Sequence, residues 1–192
     1  YMPSNQLKIT DFTSEALGVG RLDSGQVAMI RGAVPGDTIT AKLDSSKRKG
    51  VAFGEIDKIV EPSVHRIDHP CSHYSEGCAG CLLGVYDYQA ELAWKTEHLR
   101  QTLRRIGKIE TPDVREIIKS PNPWNYRDRL EMHLELKKGR FDIGYINSAG
   151  FFPIRDCHLG AQSIRDSIAQ IQTALPNLST DIKDSSFRLL IR

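Results

Sequence analysis

The sequence has few cysteines, no long apolar run and almost no net charge. Four of its 192 residues are cysteine, and the formal net charge is +2. No apolar stretch approaches the roughly 20 residues that a membrane-spanning helix needs, and residues 1–6 lack the basic and apolar regions of a signal peptide. We therefore expect a cytoplasmic protein that makes no membrane contact. The charge balance alone neither requires nor excludes nucleic acid as a partner.

The few cysteines are unevenly distributed. Cys71, Cys78 and Cys81 lie within one short stretch, and Cys157 follows far along the chain, which gives the spacing C-x6-C-x2-C-x75-C. Thiolates select zinc or iron–sulfur clusters, and four of them suit either a tetrahedral zinc ion or a [4Fe–4S] cluster. Disulfides are disfavoured in the reducing cytoplasm. The spacing therefore predicts a metal site, and it leaves zinc and the cluster open.

Residues 7–61 have the pattern of a small β domain. Five short runs rich in β-branched residues alternate with turn signals, and they cover residues 7–11, 18–21, 26–30, 37–43 and 51–59. Closure into a barrel would remove the exposed strand edges. The fourth and fifth runs are separated by a basic tip, which contains Lys47, Arg48 and Lys49. This tip is either a solvated hairpin end or a contact to an RNA backbone.

The second half of the chain predicts helices and a further sheet. Asp87 can cap a helix whose apolar positions recur at helical spacing: Leu92, Leu99, Leu103 and Ile106. Residues 130–136 alternate between apolar and polar, which indicates a half-buried strand, and residues 141–146 and 151–156 predict two more antiparallel strands, the last of which would deliver Cys157. A second amphipathic helix contains Ile164, Ile168, Ile171 and Leu175, and a final strand begins at Phe187. Trp94 is expected to pack in the core rather than to stack on a base.

Two ordered stretches resemble a known family. Residues 9–21, 23–25, 30–37 and 61–63 resemble a TRAM domain, a small OB-like barrel that binds RNA. The cysteine loop (residues 71–81), together with residues 82–95 and 103–107, is similar to the cluster region of RNA uracil-5-methyltransferases. In that family a [4Fe–4S] cluster takes its fourth cysteine from a central domain, the place that Cys157 occupies. The resemblance therefore implies a cluster rather than zinc.

The resemblance also implies a domain plan and a partner. We expect a mostly β chain with some α structure: a five-stranded barrel (residues 1–64), an iron–sulfur loop (65–85), a helix and linker (86–120) and an incomplete antiparallel α+β central domain (121–192). Arg127 and Arg129 match an arginine-bearing strand entry that faces RNA, although an ion pair with Asp128 is an alternative use of that charge. We expect RNA, and specifically ribosomal RNA, as the partner of a monomeric chain.

The parts that methyl transfer needs are missing from these residues. No glycine-rich turn able to hold S-adenosylmethionine follows a strand, and no cysteine outside the predicted metal set remains to add to uracil C6. We therefore expect the RNA-recognition and iron–sulfur part of an S-adenosylmethionine-dependent RNA uracil-5-methyltransferase, inactive by itself. The alternative is a standalone, non-catalytic RNA-binding module with a structural metal site. An iron–sulfur electron carrier is disfavoured because the sequence offers no second redox centre.

Overall fold

The computed structural model describes residues 6–44, 50–78, 80–147, 149–177 and 184–192. The chain forms two compact units: the first comprises Tyr1–His69 and Gly80–Lys119, and the second comprises Pro70–Ala79 and Ser120–Arg192. The described residues are mostly strand with some helix, as predicted. Within these ranges, no helix combines the length and the apolar character required to cross a membrane.

The first unit contains a closed five-stranded barrel. Its strands are β1 (Gln6–Phe12), β2 (Gly18–Arg21), β3 (Val27–Arg31), β4 (Thr38–Leu43) and β5 (Val51–Glu61). They pair in the order β1-β2-β3-β5-β4, and only β3 and β5 run parallel. Inward side chains form the core: Leu7, Ile9, Ala28, Ile30, Ala33, Ile39 and Ala41. The predicted barrel is confirmed, and each strand begins and ends within two residues of its predicted position.

A buried aspartate fixes one end of this barrel. Asp37 is fully buried, and its carboxylate accepts the backbone N–H groups of Val34 and Ser63, both at 2.9 Å. The same carboxylate pairs with Arg66, whose Nη2 lies 2.6 Å from Oδ2. Arg66 Nη2 also donates to the carbonyl oxygen of Gly32 at 2.8 Å. These bonds tie the segment after β5 back to the loop before β4.

The long helix of the first unit is α2 (Tyr88–Arg105), which follows a 3-10 turn at Leu82–Val85. The Asp87 side chain accepts the N–H of Ala90 at 3.0 Å, so the predicted cap is confirmed. Leu92 is buried, whereas Leu99 and Ile106 are 48% and 69% exposed. The described residues of this unit therefore cover the apolar side of α2 mainly near its beginning.

Trp94 joins α2 to the barrel within the first unit. Its ring lies edge-on to Phe12 with the centroids 5.2 Å apart, and its indole N–H donates to Asp11 Oδ1 at 2.9 Å. The Tyr86 ring also packs edge-on against the Phe12 ring, with the centroids 5.2 Å apart. Trp94 is thus a packing residue, as predicted.

The second unit is a four-stranded antiparallel sheet packed against a helix. Its strands are β6 (Leu130–Lys137), β7 (Arg140–Asn147), β8 (Gly150–Pro153) and β9 (Ser185–Ile191), in the order β8-β7-β6-β9. Helix α3 (Gln162–Ala174) precedes a 3-10 turn at Leu175–Asn177. The core consists of Leu130, Met132, Ile143, Ile154, Cys157, Ile164, Ile168 and Ile191. The alternation predicted for β6 places Met132 inside and Glu131 outside.

The strand predicted to deliver Cys157 is shorter than expected. β8 ends at Pro153, and Cys157 lies in the segment between β8 and α3. The backbone N–H of Arg155 donates to a histidine side chain, His73 Nε2, at 2.9 Å. The N–H of Cys157 donates to the neighbouring Asp156 Oδ1 at 2.7 Å. The last backbone bond to β7 runs from the Ile154 N–H to the Ile143 oxygen at 3.0 Å, and beyond it the described backbone forms no further pair with β7.

Candidate metal centre and nucleic-acid contacts

Three of the four cysteines belong to the second unit. Cys71 immediately precedes the short helix α1 (Ser72–Ser75), and Cys78 follows Gly77, whose φ of 102° turns the chain after that helix. Cys157 is buried in the core of the sheet. All four cysteines lie in the described residues, and no disulfide joins any of them.

The electrostatics place these three thiols in one neighbourhood. Burial raises the pKa of the Cys71 thiol, and the negative charges of Cys78 and Cys157 raise it further. The backbone N–H groups of His73 and Tyr74 act in the opposite direction. A neighbouring cation would relieve the repulsion that disfavours ionisation of the Cys71 thiol.

The three thiols match a metal site in the type of ligand they provide, but not in their arrangement. The three thiols supply soft sulfur ligands of the kind that zinc and iron–sulfur clusters take. Among the residues that the structure describes, no group of three or more His, Cys, Asp or Glu side chains has the arrangement of a metal-ion site. The ligand set is therefore a chemical match whose ligand geometry is not formed in this structure.

The cysteine loop is fastened to the segment before Cys157 through His73. This side chain is buried, its Nε2 accepts the Arg155 N–H, and its Nδ1 lies 2.9 Å from Glu76 Oε2. Because Nε2 accepts, the neutral ring carries its proton on Nδ1 and donates it to Glu76. The Arg155 guanidinium returns to Glu76 Oε1 at 2.6 Å. Both partners lower the pKa of the Glu76 carboxyl, the His73 hydrogen bond more strongly.

Asp156 holds the backbone on the other side of Cys157. Besides accepting the Cys157 N–H, its carboxylate forms a close ion pair with Arg165 of α3, with Nε 2.9 Å from Oδ1. The Arg165 hydrogen bond lowers the pKa of Asp156. Arg165 Nη1 also reaches Asn125 Oδ1 at 3.3 Å. The Asp156 side chain thus holds the backbone at Cys157, and Arg165 of α3 in turn holds Asp156.

Tyr145 contacts the sulfur of Cys157. Its hydroxyl donates to Cys157 Sγ at 3.5 Å. Burial raises the pKa of Tyr145, with further contributions from Cys157 and Cys78, while the charge of Arg127 acts against them. The phenol therefore stays protonated at neutral pH.

Cys81 belongs to the first unit and is described there. It precedes the 3-10 turn, and its carbonyl oxygen accepts the N–H of Gly84 at 2.9 Å. His69 Nε2 lies 3.2 Å from the same oxygen.

The predicted RNA contacts fall into two groups. Lys47, Arg48 and Lys49 lie outside the described residues. Arg127 and Arg129 are exposed on the segment that enters β6. The backbone of Arg127 pairs with the chain just after Cys157: its N–H donates to the Leu159 oxygen at 2.8 Å, and its oxygen accepts the Ala161 N–H at 2.7 Å. Across the described ranges, no ion pair of Asp128 is found.

Sequence reasoning missed His73 and Tyr145. His73 sits inside the cysteine loop, which was an available signal, but a histidine between cysteines can equally be a solvent-exposed residue. Tyr145 occupies an inward position of β7, opposite Phe152. Its contact with Cys157 depends on where the chain turns after β8, and no local pattern gives that.

Comparison with known proteins defines the class of the barrel. Residues 6–56 match the TRAM domain. An uncharacterized RNA methyltransferase of Listeria innocua is 35% identical over 144 residues, which are 74% of this chain and 30% of the relative. One from Gloeobacter violaceus is 38% identical over 121 residues, 63% of this chain and 26% of the relative. The 23S rRNA (uracil(1939)-C(5))-methyltransferase RlmD of Marinomonas is 33% identical over 149 residues, 77% of this chain and 32% of the relative.

The chain is therefore a TRAM-domain protein. More particularly, it is homologous to the RNA methyltransferases over about three quarters of its length. It spans about 30% of the length of the curated relatives it matches.

Proposed function

We propose that this chain is the RNA-recognition and iron–sulfur part of an S-adenosylmethionine-dependent RNA uracil-5-methyltransferase that forms 5-methyluridine in 23S ribosomal RNA. The observation that carries the proposal is the TRAM match at residues 6–56 in a chain homologous to a 23S rRNA uracil-C5 enzyme. S-adenosylmethionine and the cysteine nucleophile would be supplied by residues outside this chain. The chain alone binds RNA and does not methylate it.

The metal ligands in this proposal are Cys71, Cys78, Cys81 and Cys157, which would hold a [4Fe–4S] cluster. Its support is the shared neighbourhood of three of the thiols and the hydrogen bond that Cys157 receives. When bound, the cluster supplies iron–thiolate bonds whose formation contributes directly to folding free energy. The chain's own part is to hold Cys71 and Cys78 near Cys157, through the bonds of His73 described above.

Iron analysis tests the cluster. Anaerobically purified protein is expected to be brown and to carry about four iron atoms per chain, as a [4Fe–4S] cluster requires. Cys157→Ser should lose the iron and make the second sheet sensitive to limited proteolysis, while the barrel stays resistant, because its core contains no metal ligand. Colourless protein with one zinc per chain would contradict the cluster. A Cys157→Ser variant that loses iron but keeps the parent's protease resistance would contradict its structural role.

RNA recognition is expected to rest on phosphate contacts by exposed arginines. Arg127 and Arg129 are both exposed at one strand entry, and each phosphate contact releases condensed counterions. Lys47, Arg48 and Lys49 would add a second contact region on the TRAM domain. Two contact regions in one chain strengthen each other when both can be engaged at once.

A salt titration tests this contact. For a 23S rRNA fragment, Arg127→Gln with Arg129→Gln should weaken binding and reduce the slope of log K against log salt by roughly 1.5 to 2, close to one for each lost phosphate contact. Arg140→Gln is the matched control, since its side chain is 82% exposed and lies elsewhere on the same unit. Equal effects of the control and the double variant would contradict a role for Arg127 and Arg129. Methyl transfer by the 192-residue chain would contradict the predicted inactivity.

A further inference from the structure

The hydroxyl of Tyr145, on the core-facing side of β7, points at the sulfur of Cys157, a predicted metal ligand. Tyr145 lies on β7 two residues after the buried Ile143, so both side chains point into the core of the second unit. Its hydroxyl lies 3.5 Å from Cys157 Sγ, and that sulfur belongs to the same core cluster. The partly buried Tyr145 ring packs against this core cluster.

The direction of this hydrogen bond follows from the two groups. A metal-bound cysteine is a thiolate, which has no proton to give, whereas a tyrosine hydroxyl keeps its proton at neutral pH. The hydroxyl is therefore the donor and the sulfur the acceptor. A hydrogen bond to an ionised acceptor is about twice as strong as one between neutral groups, and it strengthens as negative charge on the acceptor increases.

We infer that Tyr145 is a positioning residue for the metal site: its hydroxyl orients the Cys157 sulfur and raises the reduction potential of the cluster bound there. The inference rests on the cluster of the proposed function. Hydrogen bonds to the sulfurs are one of the factors that set the potential of such clusters. Reduction adds negative charge, which the sulfurs share, so a donor to Cys157 stabilises the reduced state more than the oxidised one.

The test is a redox titration of Tyr145→Phe, which removes one oxygen atom and keeps the ring. Tyr126→Phe is the matched control, since Tyr126 lies in the same unit and is 54% exposed. With four iron atoms bound, the ratio of oxidised to reduced cluster at a given applied potential should be about tenfold higher in Tyr145→Phe than in the parent. This corresponds to a reduction potential about 59 mV lower for a one-electron couple. Tyr126→Phe should titrate like the parent.

A second measurement changes the strength of the donor without removing it. Growth on 3-fluorotyrosine makes every tyrosine hydroxyl a stronger donor, so the potential of the parent should rise, while that of Tyr145→Phe should not change. A Tyr145→Phe protein with native circular dichroism that fails to retain its iron would support the positioning role. Iron in the parent with equal potentials in parent and Tyr145→Phe would overturn this inference alone. A parent without iron would overturn the proposed cluster and this inference with it.

Discussion

Replacing Asp37 with alanine removes only a small carboxylate group, but we expect it to destabilise the barrel strongly. In Asp37→Ala, two backbone N–H groups lose their acceptor, and the Arg66 guanidinium, whose side chain is only 14% exposed, loses its counter-charge. Removal of one partner from a buried ion pair typically costs about 3–5 kcal/mol, because the other charge stays buried without compensation. The bond from Arg66 to the Gly32 oxygen remains, so we expect the lower part of this range, about 3 kcal/mol.

The matched control is a second ion pair in the same barrel. Asp57 pairs with Lys42 at 3.2 Å, but the two side chains are 47% and 67% exposed. Such surface pairs contribute about 0–1 kcal/mol, so Asp57→Ala should unfold at nearly the parent's urea concentration. Asp37→Ala should lower the midpoint by more than about 1 M, given an m value of about 1–3 kcal/mol/M. Circular dichroism follows the unfolding of each variant in urea. Equal midpoints for Asp37→Ala and Asp57→Ala would refute the argument that burial of the Asp37 carboxylate decides its contribution to stability.

Three further predictions concern stability. Met132→Ala, at a fully buried site, should lower the free energy of unfolding by about 2–5 kcal/mol, whereas Leu190→Ala, 44% exposed, should change it by less than about 0.5 kcal/mol in the same urea titration. Trp94→Phe keeps the ring contact but loses the indole hydrogen bond, so a cost of about 1 kcal/mol is expected by thermal denaturation. Arg165 lowers the pKa of Asp156 below its ordinary value of 3.8. The Asp156–Arg165 pair therefore stabilises the fold fully above pH 3.8, and this contribution is lost as the pH falls through the lowered pKa. Unfolding midpoints of the parent and Arg165→Gln should therefore differ at neutral pH, and the difference should shrink as the pH falls from 3.8 through the lowered pKa of Asp156; a constant difference would contradict this.

The elements that follow from the sequence are those set by local signals. The barrel strands were predicted closely because the second to fifth apolar runs are each followed by a glycine, proline or aspartate turn. The α2 cap was predicted because Asp87 stands directly before the helical repeat. The pairing of Asp37 with Arg66 could not be predicted, since it joins residues 29 positions apart and an arginine in a loop carries no pattern of its own. These contacts depend on how the chain closes and not on its periodicity.

The site shows the same division. The spacing of the cysteines predicts their common use, and three of them are neighbours electrostatically. The end of β8 was placed too late because Ile154 to Asp156 read as continued strand, whereas the backbone bonds to β7 stop at Ile154. After that point the Arg155 N–H donates to His73, which is 82 positions away in the sequence. A contact between residues so far apart cannot be predicted from local alternation.

The position of β6 in its sheet has a consequence for synthesis of the chain. β6 pairs with β7, which follows it directly, and with β9, which begins about 50 residues later. At ribosomal rates of about 5–20 residues per second, one side of β6 waits roughly 2.5–10 s for its second neighbour. During that time a strand with one apolar face presents unpaired N–H and C=O groups to other chains. Shortening the protein before Ser185 would make this interval permanent, so such fragments should aggregate through β6 even if every other element folds.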